Sequence, residues 1–511
     1  MKTPDTSWWR NGEGDEFKSS ASPSLMAVLA TVLAVSIVFY WFRRVKNEAR
    51  LLPPGPRGLP LLGSLPFLGS DLHICFAEIA RTYGPVVSLR LGAKLCVLLS
   101  SPQAVKEALK DQDAIFANHD APAVSLFSPY GGKNMLYAPY GPQWRILRKV
   151  TVRQLLNPAT IDGLSVPRQA EIRRMVEEIR GKAGQPVNLR ELISAAAMNM
   201  TTEMLWGGSL AQRGDDRDAL GREFPWLDLQ GLGRRMRRMV SLIDRIFNSV
   251  IEERLMMMEG CQDGDPAAAV DMKNKDFLQV MLDLVQNPDP QAPITMDHMK
   301  ALLLDLVTGG TDTTSTTLEW AMAELLYDPE RMKTAKEEIV TVVGVGNAVE
   351  EVHLPHLRYI DAVVRETLRL HPAVPLLVPH RPSSTCTVAG YKIPEGTKVF
   401  INVWAIHRDP RVWEDASEFK PERFLREAGG ADYSGNTFRY LPFGAGRRIC
   451  PGISLGEGIV KYILASLLHS VDWALPAGEA ASPDLNEKFG IVMRKEKTLV
   501  AVPTLRIPQN I

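Results

Sequence analysis

The sequence predicts a mainly α-helical protein with a minor β part, preceded by a single N-terminal transmembrane helix. Three observations support this: helical periodicity dominates residues 102–372, the strand patterns are short, and an uncharged apolar run occupies residues 25–42. The 511 residues carry 59 basic and 59 acidic side chains. Because the net charge is zero, we expect no nucleic-acid partner.

The apolar run at residues 25–42 is just long enough to cross a bilayer as a helix. It ends in aromatic residues and is followed by Arg43, Arg44 and Lys46, so the positive-inside rule places the rest of the chain in the cytosol. A cleaved signal peptide is the competing interpretation, but no basic segment precedes the run and no small-residue cleavage site follows it. We therefore expect a lumenal tail at 1–24, a membrane anchor at 25–42, a basic and Pro/Gly-rich linker at 43–66, and a folded domain at 67–511.

Within the folded domain, residues 83–99 predict a small hairpin that turns at Gly92-Ala93-Lys94. Short strands are expected between residues 373 and 404, and a loop at 260–276. We expect a last helix at 452–471 and terminal strands near 489–503.

One of the five cysteines stands in an unusual loop. The number is odd and no CxxC pair occurs, which argues against a disulfide framework or a structural zinc site. Cys450 lies in FGAGRRICPG (443–452), among glycines that let backbone N–H groups approach the sulfur, and next to Arg447 and Arg448. Cations and a following helix favour the thiolate, which suits the iron of a haem, with arginine on a propionate. The alternative is a structural cysteine in a glycine-rich loop.

Two further patterns place polar side chains on helices. Trp144 and Arg148 are four residues apart in WRILRK, so an indole N–H and a guanidinium can converge on one anion. Taken alone, this spacing is also typical of a packed tryptophan beside a solvated charge. In ETLRLHP, Glu366 and Arg369 lie on an otherwise apolar helix, and Arg423 is available as a further partner for a buried, structural triad.

The segment ALLLDLVTGGTDTTSTTLEWAMAELL (301–326) is helical at both ends but contains two glycines and several threonines at its centre. Thr313 can donate its hydroxyl hydrogen to the carbonyl of Gly309, one turn earlier. The glycines leave a notch beside which Asp312 places a carboxylate, an arrangement suited to proton delivery. The alternative is a helix of poor propensity without any function.

Together these stretches resemble the haem-thiolate monooxygenases of the cytochrome P-450 superfamily, over about residues 50–505. The anchor, the PPGP segment and FRYLPFGAGRRICPG look like the plant microsomal enzymes that act on specialised metabolites. One departure is Gly309, where alanine is commoner in the family. The matching motifs are FxxGxRxCxG at Phe443, Gly446, Arg448, Cys450 and Gly452, ExxR at Glu366 and Arg369, PERF at 421–424, (A/G)Gx(D/E)T(T/S) at 309–314, and WxxxR at Trp144 and Arg148.

The resemblance implies a catalytic haem domain at 67–511 that binds haem b. It implies Cys450 as the axial iron ligand, with Trp144, Arg148, His380 and Arg448 at the propionates. Asp312 and Thr313 resemble the pair that relays protons during O₂ activation. Electrons are expected from NADPH through a membrane-bound reductase at the endoplasmic reticulum, docking near Arg145, Lys149 and Arg447. Length alone would suggest about three domains, but motifs that meet at one haem imply a single one.

The substrate-facing elements of the family fall at about 118–137, 205–232, 302–313, 373–378 and 489–492. Their residues are mostly apolar, so we expect a small hydrophobic substrate, terpenoid or phenylpropanoid-like. Two alternatives remain: a haem-thiolate isomerase or dehydratase of hydroperoxides, and a non-catalytic membrane haem protein. The intact Asp312 and Thr313 argue against the first, because such relatives generally lose this pair, and the notched helix and apolar pocket argue against the second.

Overall fold

The computed structural model describes residues 51–121, 130, 132–208, 232–262, 276–288, 290, 293–426, 432–478 and 482–506, together with positions 27, 28, 31, 32 and 36. The chain divides into two compact units, Met1–Leu52 and Pro53–Ile511. In the first unit, positions 27, 28, 31, 32 and 36 are helical. No helix in the described part of the chain is long and apolar enough to cross a membrane. The anchor predicted at 25–42 lies outside the described residues except for those positions.

The second unit is mainly helical, as predicted. Short 3₁₀ turns occur at Leu65–Phe67, Glu351–His356 and Gly446–Arg448, and π turns at Glu107–Asp111 and Thr151–Leu155 extend the helices before them. The α-helices are α1 (Leu72–Tyr83), α2 (Pro102–Lys106), α3 (Pro142–Val150), α4 (Pro158–Gly163), α5 (Ser165–Gly181), α6 (Leu189–Trp206), α7 (Leu232–Gln262), α8 (Phe277–Gln286), α9 (Met296–Tyr327), α10 (Pro329–Val343), α11 (Arg358–Leu370), α12 (Val403–His407), α13 (Glu422–Arg426) and α14 (Ile453–Ser470).

Local sequence explains where several helices begin. Proline stands at the first position of α2, α3, α4 and α10, where its missing N–H costs nothing. Side-chain caps precede many helices: Asn157 accepts from the N–H of Thr160, and Asn188 accepts from the N–H of Glu191. Gly207, at φ 70°, ends α6 in the left-handed conformation.

The strands are short and form small sheets. The largest sheet has the order β1-β2-β8-β5-β3, in which β2 pairs parallel with β8 and the other pairs are antiparallel. The strands are β1 (Val86–Leu91), β2 (Lys94–Leu99), β3 (Asn118–His119), β4 (Val187–Asn188), β5 (His380–Arg381), β6 (Cys386–Val388), β7 (Tyr391–Ile393), β8 (Lys398–Ile401), β9 (Asp472–Ala474), β10 (Glu487–Lys488), β11 (Arg494–Lys495) and β12 (Val500–Thr504).

Helix α9 runs through the core. Every residue from Thr314 to Leu325 is buried, and the helix packs against α6, α11 and α14. It is an unbroken α-helix from Met296 to Tyr327 despite the glycines and threonines at its centre. Burial on all sides explains this, because tertiary packing supplies the stability that local propensity lacks.

The predicted hairpin is confirmed as β1 and β2, and the predicted strands between residues 373 and 404 as β5 to β8. The predicted last helix corresponds to α14, and the terminal strands are β10, β11 and β12. The predicted loop starts later than expected, because α7 continues to Gln262, and residues 263–275 lie outside the described part of the chain.

Candidate functional site

The loop that carries Cys450 has a backbone that only glycine can follow. Gly446 has a φ of 67°, and a Cβ atom added there would lie 2.5 Å from the carbonyl oxygen of Leu109 and 2.7 Å from Oδ1 of Asp113. The N–H of Cys450 donates to the carbonyl of Phe443 (3.0 Å). The N–H of Gly452 in turn points at the sulfur, with N and Sγ 3.4 Å apart. The loop therefore presents the thiol at the start of α14 with one backbone donor aimed at it.

The predicted triad is present and buried beneath this loop. Glu366 accepts two hydrogen bonds from Arg369 (2.7 and 2.8 Å) and one from Arg423 (3.0 Å). The side chains of Glu366 and Arg369 are fully buried, at 0% exposure. Arg369 also donates to the backbone carbonyls of His407, Ala416 and Glu418. The triad therefore ties α11 to the chain that leads to the cysteine loop, a structural role, as the sequence suggested.

His407 extends this brace to the cysteine loop. Its Nδ1 donates to the carbonyl of Arg369 (3.0 Å), and its Nε2 accepts the N–H of Leu441 (2.9 Å). Burial lowers the pKa of His407 to about 3, so the ring is neutral and can serve as donor and acceptor at once. Residue 441 begins the turn that leads to Phe443, so helix α11 positions the loop through a neutral imidazole.

Basic side chains gather around Cys450. The Arg448 guanidinium lies over the ring of Trp144 at 4.5 Å and donates to the carbonyls of Ala117, Met135 and Ala138. The indole N–H of Trp144 also donates to Met135 (3.1 Å). In the structure this indole therefore satisfies a backbone carbonyl, and binding a propionate would require it to exchange that partner.

Arg148, by contrast, makes no hydrogen bond or ion pair within the described part of the chain. Burial lowers its pKa, while the electrostatic influence of Cys450 opposes that shift. Arg148 also lies close enough to Arg448 to lower the pKa of that residue. A part-buried guanidinium without an anionic partner among the described residues fits a bound group that carries carboxylates.

Two histidines border the same cluster. His380 donates from Nδ1 to the carbonyl of Phe116 (2.8 Å), and burial lowers its pKa to about 4. His119 pairs with it across β3 and β5, with ring centroids 5.0 Å apart, and contacts the carbonyl of Leu136. With Nδ1 protonated, the Nε2 atom of neutral His380 is an acceptor. A carboxylate near Nε2 would favour the imidazolium, the form in which His380 can bind a propionate.

The thiol itself is protonated in the polypeptide alone. Burial raises the pKa of Cys450, and this outweighs the N–H of Gly452 and the charge of Arg148. The charge of Arg148 and the N–H of Gly452 do favour the thiolate, as expected, but in the polypeptide alone burial outweighs them. A metal ion bonded to the sulfur would displace the proton. A buried thiol beside an unpartnered guanidinium fits a cofactor that supplies both a metal and carboxylates.

The notch predicted on α9 is confirmed in part. A Cβ atom added to Gly309 would meet nothing within 4 Å, so this position faces open space. One added to Gly310 would lie 3.1 Å from Oγ1 of Thr201, so Gly310 instead allows close packing with α6. The hydroxyl of Thr313 donates to the carbonyl of Gly309 at 2.6 Å, as predicted. Only the first glycine therefore opens the notch.

The carboxylate of Asp312 has a partner that the sequence did not reveal. Nη2 of Arg494, on β11, donates to Oδ2 of Asp312 at 2.8 Å. The two side chains are 29% and 27% exposed, so the pair keeps contact with solvent. No hydrogen bond, ion pair or ring contact joins Asp312 or Thr313 to the Cys450 cluster among the described residues. The structure thus gives two sets of residues, one around the thiol and one on α9.

Sequence reasoning missed three residues near these sets: His119, Asp305 and Arg494. Asp305, two turns before Asp312 on α9, accepts from the side-chain amide of Asn134 (3.0 Å) and the N–H of Leu136 (3.2 Å). Burial raises the pKa of Asp305 to about 6. No local motif marks these positions, because each acts through a partner distant in sequence. Parts of two expected pocket stretches lie outside the described residues: 122–129 and 131 within the stretch 118–137, and 209–231 within the stretch 205–232.

Fold and site together describe a mainly α-helical protein with a cysteine-centred cofactor site. A family model of cytochrome P450 matches residues 53–502. The chain is 34% identical over 521 residues to a flavonoid 3′,5′-hydroxylase of Campanula medium, covering 95% of this chain and 97% of that protein. It is 36% identical over 525 residues to a trimethyltridecatetraene synthase of Zea mays, covering 96% and 95%. A zebra fish cytochrome P450 solved with abiraterone superposes with a TM-score of 0.72 at 27% identity, covering 86% of this chain and 100% of that chain.

The chain therefore belongs to the cytochrome P450 family. It is an oxidoreductase of the monooxygenase class, and the cofactor of the family is haem b. Members of the family use O₂ and a redox partner and bind hydrophobic substrates. The family resemblance stated from the motifs is confirmed, and the relatives include plant enzymes.

Proposed function

We propose that this chain is a membrane-anchored haem-thiolate monooxygenase that inserts one oxygen atom of O₂ into a small hydrophobic plant metabolite. The overall reaction consumes one substrate, one O₂, one NADPH and one proton, and yields hydroxylated product, NADP⁺ and water. The observation that carries the proposal is the part-buried Cys450 thiol, with the Gly452 N–H aimed at its sulfur and, beside it, Arg148, which has no hydrogen-bond or ion-pair partner among the described residues. The haem, when bound, supplies the redox chemistry of O₂ activation.

The residues around the thiol are assigned to cofactor binding. Cys450 is the proposed iron ligand, and Arg148 offers a free guanidinium to a propionate. Trp144 and Arg448 are assigned to the same propionate site as Arg148. Both are held in place by hydrogen bonds to backbone carbonyls of residues 135–138. His380 contributes a ring that becomes a donor once a carboxylate promotes its protonation.

The residues on α9 are assigned to proton movement. Thr313 donates its own hydrogen to the carbonyl of Gly309, so its oxygen keeps lone pairs that can accept a hydrogen bond one turn from the space left open by that glycine. The Asp312 side chain is 27% exposed, so solvent can reach its carboxylate. We infer that Asp312 takes up a proton from water and that the Thr313 hydroxyl passes it on. This pair argues against the hydroperoxide isomerase alternative, which needs no external protons or electrons.

A basic surface next to the cofactor residues is the proposed docking site for an NADPH-dependent, membrane-bound reductase. An open hollow of about 440 Å³ is lined by five basic residues and no acidic ones: Arg145, Arg148, Lys149, Arg153 and Arg447, with Tyr140, Trp144 and Val152. Arg447 is also paired with Asp113 and with the hydroxyl of Tyr140, which fixes it at the rim. Positive charge beside the cofactor edge suits an acidic partner and short-range electron transfer.

Charge reversal tests the docking site. We expect Arg145→Glu and Lys149→Glu to slow electron transfer from the reductase, with the greatest loss at low ionic strength. Arg411→Glu, on an exposed side chain elsewhere, is the matched control. Electron transfer at the wild-type rate in both variants would contradict docking at this surface.

The proposed location is the endoplasmic reticulum membrane, with residues 1–24 lumenal, 25–42 spanning, 43–66 as linker and 67–511 as the cytosolic catalytic domain. The apolar run and the basic residues after it support this orientation. At the end of the linker, the carbonyl of Pro54 accepts the N–H of Ser88 in β1, while Leu61 and Phe67 are 82% and 66% exposed. Apolar side chains exposed so soon after the anchor are consistent with a bilayer nearby.

The proposed substrate is a terpenoid or phenylpropanoid-like compound. The relatives include one named as a flavonoid 3′,5′-hydroxylase and one named as a trimethyltridecatetraene synthase, which supports a substrate of this kind. The carboxylate of Asp305 on α9, within the expected pocket stretch 302–313, already accepts hydrogen bonds from Asn134 and Leu136. The described pocket elements therefore favour a neutral, largely apolar molecule.

The decisive experiment is a reduced carbon-monoxide difference spectrum of the membrane-expressed protein, with Cys450→Ala as control. We expect the strongly red-shifted band of a haem–thiolate carbonyl in the wild type and its loss in the variant. A band at the position typical of an imidazole ligand, or no haem, would refute the assignment of Cys450 and the mechanism with it.

A further inference from the structure

The segment from Glu487 to Leu499 contacts α9 at three successive positions of one helix face. Arg494 donates to Asp312 (2.8 Å), the hydroxyl of Thr316 donates to the carbonyl of Met493 (2.9 Å), and the N–H of Leu499 donates to Glu319 (2.9 Å). Positions 312, 316 and 319 are four and three residues apart and therefore share a face. The segment thus lies along α9 next to the proposed proton-carrying acid.

The other end of the segment is held by a buried carboxylate. Glu487 accepts hydrogen bonds from His73 (3.1 Å), His371 (3.1 Å), Trp404 (2.8 Å) and Arg408 (2.8 Å). Burial opposes ionisation, but these donors outweigh it and hold the pKa of Glu487 well below its usual range. Because these donors come from elements distant in sequence, Glu487 fixes the start of the segment to the body of the protein.

Residues 489–492 lie between the two attachments. They belong to the stretches expected to line the substrate pocket, and the N–H of Met493, just after them, donates to the carbonyl of Ala373 (2.8 Å). The pocket stretch 373–378 is therefore joined directly to this segment. Arg494 is only two residues beyond 489–492, so a displacement of these residues would also displace Arg494. Arg494 is in turn the described partner of Asp312.

The ion pair leaves Asp312 able to act. Arg494 contacts only Oδ2, and Oδ1 accepts no hydrogen bond from any described residue. Arg190, from α6, is bound instead to Glu319 (3.0 Å), so it does not replace Arg494 at Asp312. A carboxylate held through one oxygen is oriented while the other stays free to exchange a proton.

We propose that Arg494 is a positioning residue that orients Asp312 for proton delivery and links it to the pocket segment 489–492. The inference rests on the proposed function, because it takes Asp312 as the acid that moves protons. Arg494 touches neither the substrate nor the cofactor in this role. It acts by fixing where the Asp312 carboxylate sits relative to Thr313.

The test uses the full-length protein in membranes with its reductase. The variants are Arg494→Gln, Arg494→Lys and Asp312→Asn. The control is Arg331→Gln, which removes an ion pair with Asp328 of matching exposure (26% and 30%) on α10. The readouts are the NADPH oxidation rate, its solvent deuterium isotope effect and the hydrogen peroxide released, all without added organic substrate. A second readout is a double-mutant cycle in thermal unfolding for positions 312 and 494, which does not depend on turnover.

We expect Arg494→Gln to slow NADPH oxidation about tenfold and to enlarge the solvent isotope effect, at an unchanged carbon-monoxide band. Arg494→Lys should recover most of the NADPH oxidation rate, and Arg331→Gln should match the wild type. In the double-mutant cycle, the changes in unfolding free energy caused by substitutions at positions 312 and 494 should be non-additive. A normal band with a wild-type isotope effect in Arg494→Gln, while Asp312→Asn is slowed, would refute the inference alone. A wild type without the band would refute the proposed function and the relay on which the inference rests.

Discussion

Replacing Arg369 with methionine tests whether the buried triad stabilises the body that carries the cysteine loop. The Arg369 side chain is fully buried, and each of its five N–H groups has an acceptor in Glu366 or in the carbonyls of His407, Ala416 and Glu418. Methionine keeps the length of the side chain and packs well, so the cavity left behind is small. The variant therefore removes the hydrogen bonds and the charge with little loss of contact.

The magnitude follows from what is left unpaired. Breaking a buried ion pair by removing one partner costs about 3–5 kcal/mol. Glu366 keeps its hydrogen bonds from Arg423 and from the N–H of Lys420, which favours a cost at the lower end of this range. Three carbonyls lose the Arg369 donor, which raises the cost. For a unit of about 450 residues, an unfolding entropy of ~2.1 cal/mol/K per residue gives about 1 kcal/mol per kelvin. We therefore expect the Tm of Arg369→Met to fall by about 3–5 °C.

The assay is thermal unfolding followed by far-ultraviolet circular dichroism at a fixed scan rate. Arg411→Met is the control, because Arg411 is 79% exposed and pairs with Asp409 at the surface. An exposed pair contributes about 1 kcal/mol or less, so its Tm should change by about 1 °C at most. If Arg369→Met unfolded at the same temperature as Arg411→Met, the reasoning that the buried triad braces the fold would be refuted.

Three further predictions concern single positions. Gly446→Ala should lower the Tm by about 2 °C or more, because a left-handed backbone costs alanine about 1–2 kcal/mol and its Cβ would clash with the carbonyl oxygen of Leu109. The cofactor content, measured by absorbance, should also fall. Gly309→Ala should raise the unfolding free energy by about 1 kcal/mol through helix propensity, whereas Gly310→Ala, which presses on α6, should gain less in the same urea titration. Because burial raises the pKa of Asp305 to about 6, the folded state binds this proton more tightly than the unfolded state does. The free energy of unfolding should therefore fall by at most about 3 kcal/mol as the pH rises from about 4 to about 6. Urea unfolding of Asp305→Asn should lack this fall, and an unchanged pH dependence would contradict the assignment.

The cysteine loop shows how far sequence reasoning reached. The spacing of glycines around Cys450 predicts a tight loop, and the structure gives its cause in the left-handed Gly446 pressed against Leu109 and Asp113. The influence of Arg148 and of the following helix on the thiol was correctly predicted, but not the larger opposing effect of burial on its pKa, because the sequence does not show how far packing removes water. The hydrogen bond from the Thr313 hydroxyl to the carbonyl of Gly309 was correctly predicted, because a hydrogen bond to the preceding turn depends only on helical geometry.

By itself the sequence determined the helical class, the hairpin at β1 and β2, the Glu366–Arg369–Arg423 triad and the motifs that show the family. The helical class, the hairpin and the Glu366–Arg369 spacing depend on residues close in sequence. Arg423, 57 residues from Glu366, was inferred because a buried ion pair needs a further partner. Only the tertiary structure decided that Gly310 packs on Thr201, that Arg148 is left without a partner among the described residues, and that Arg494 holds Asp312. Each joins elements far apart in sequence, and such contacts depend on how the whole core is packed rather than on any local pattern.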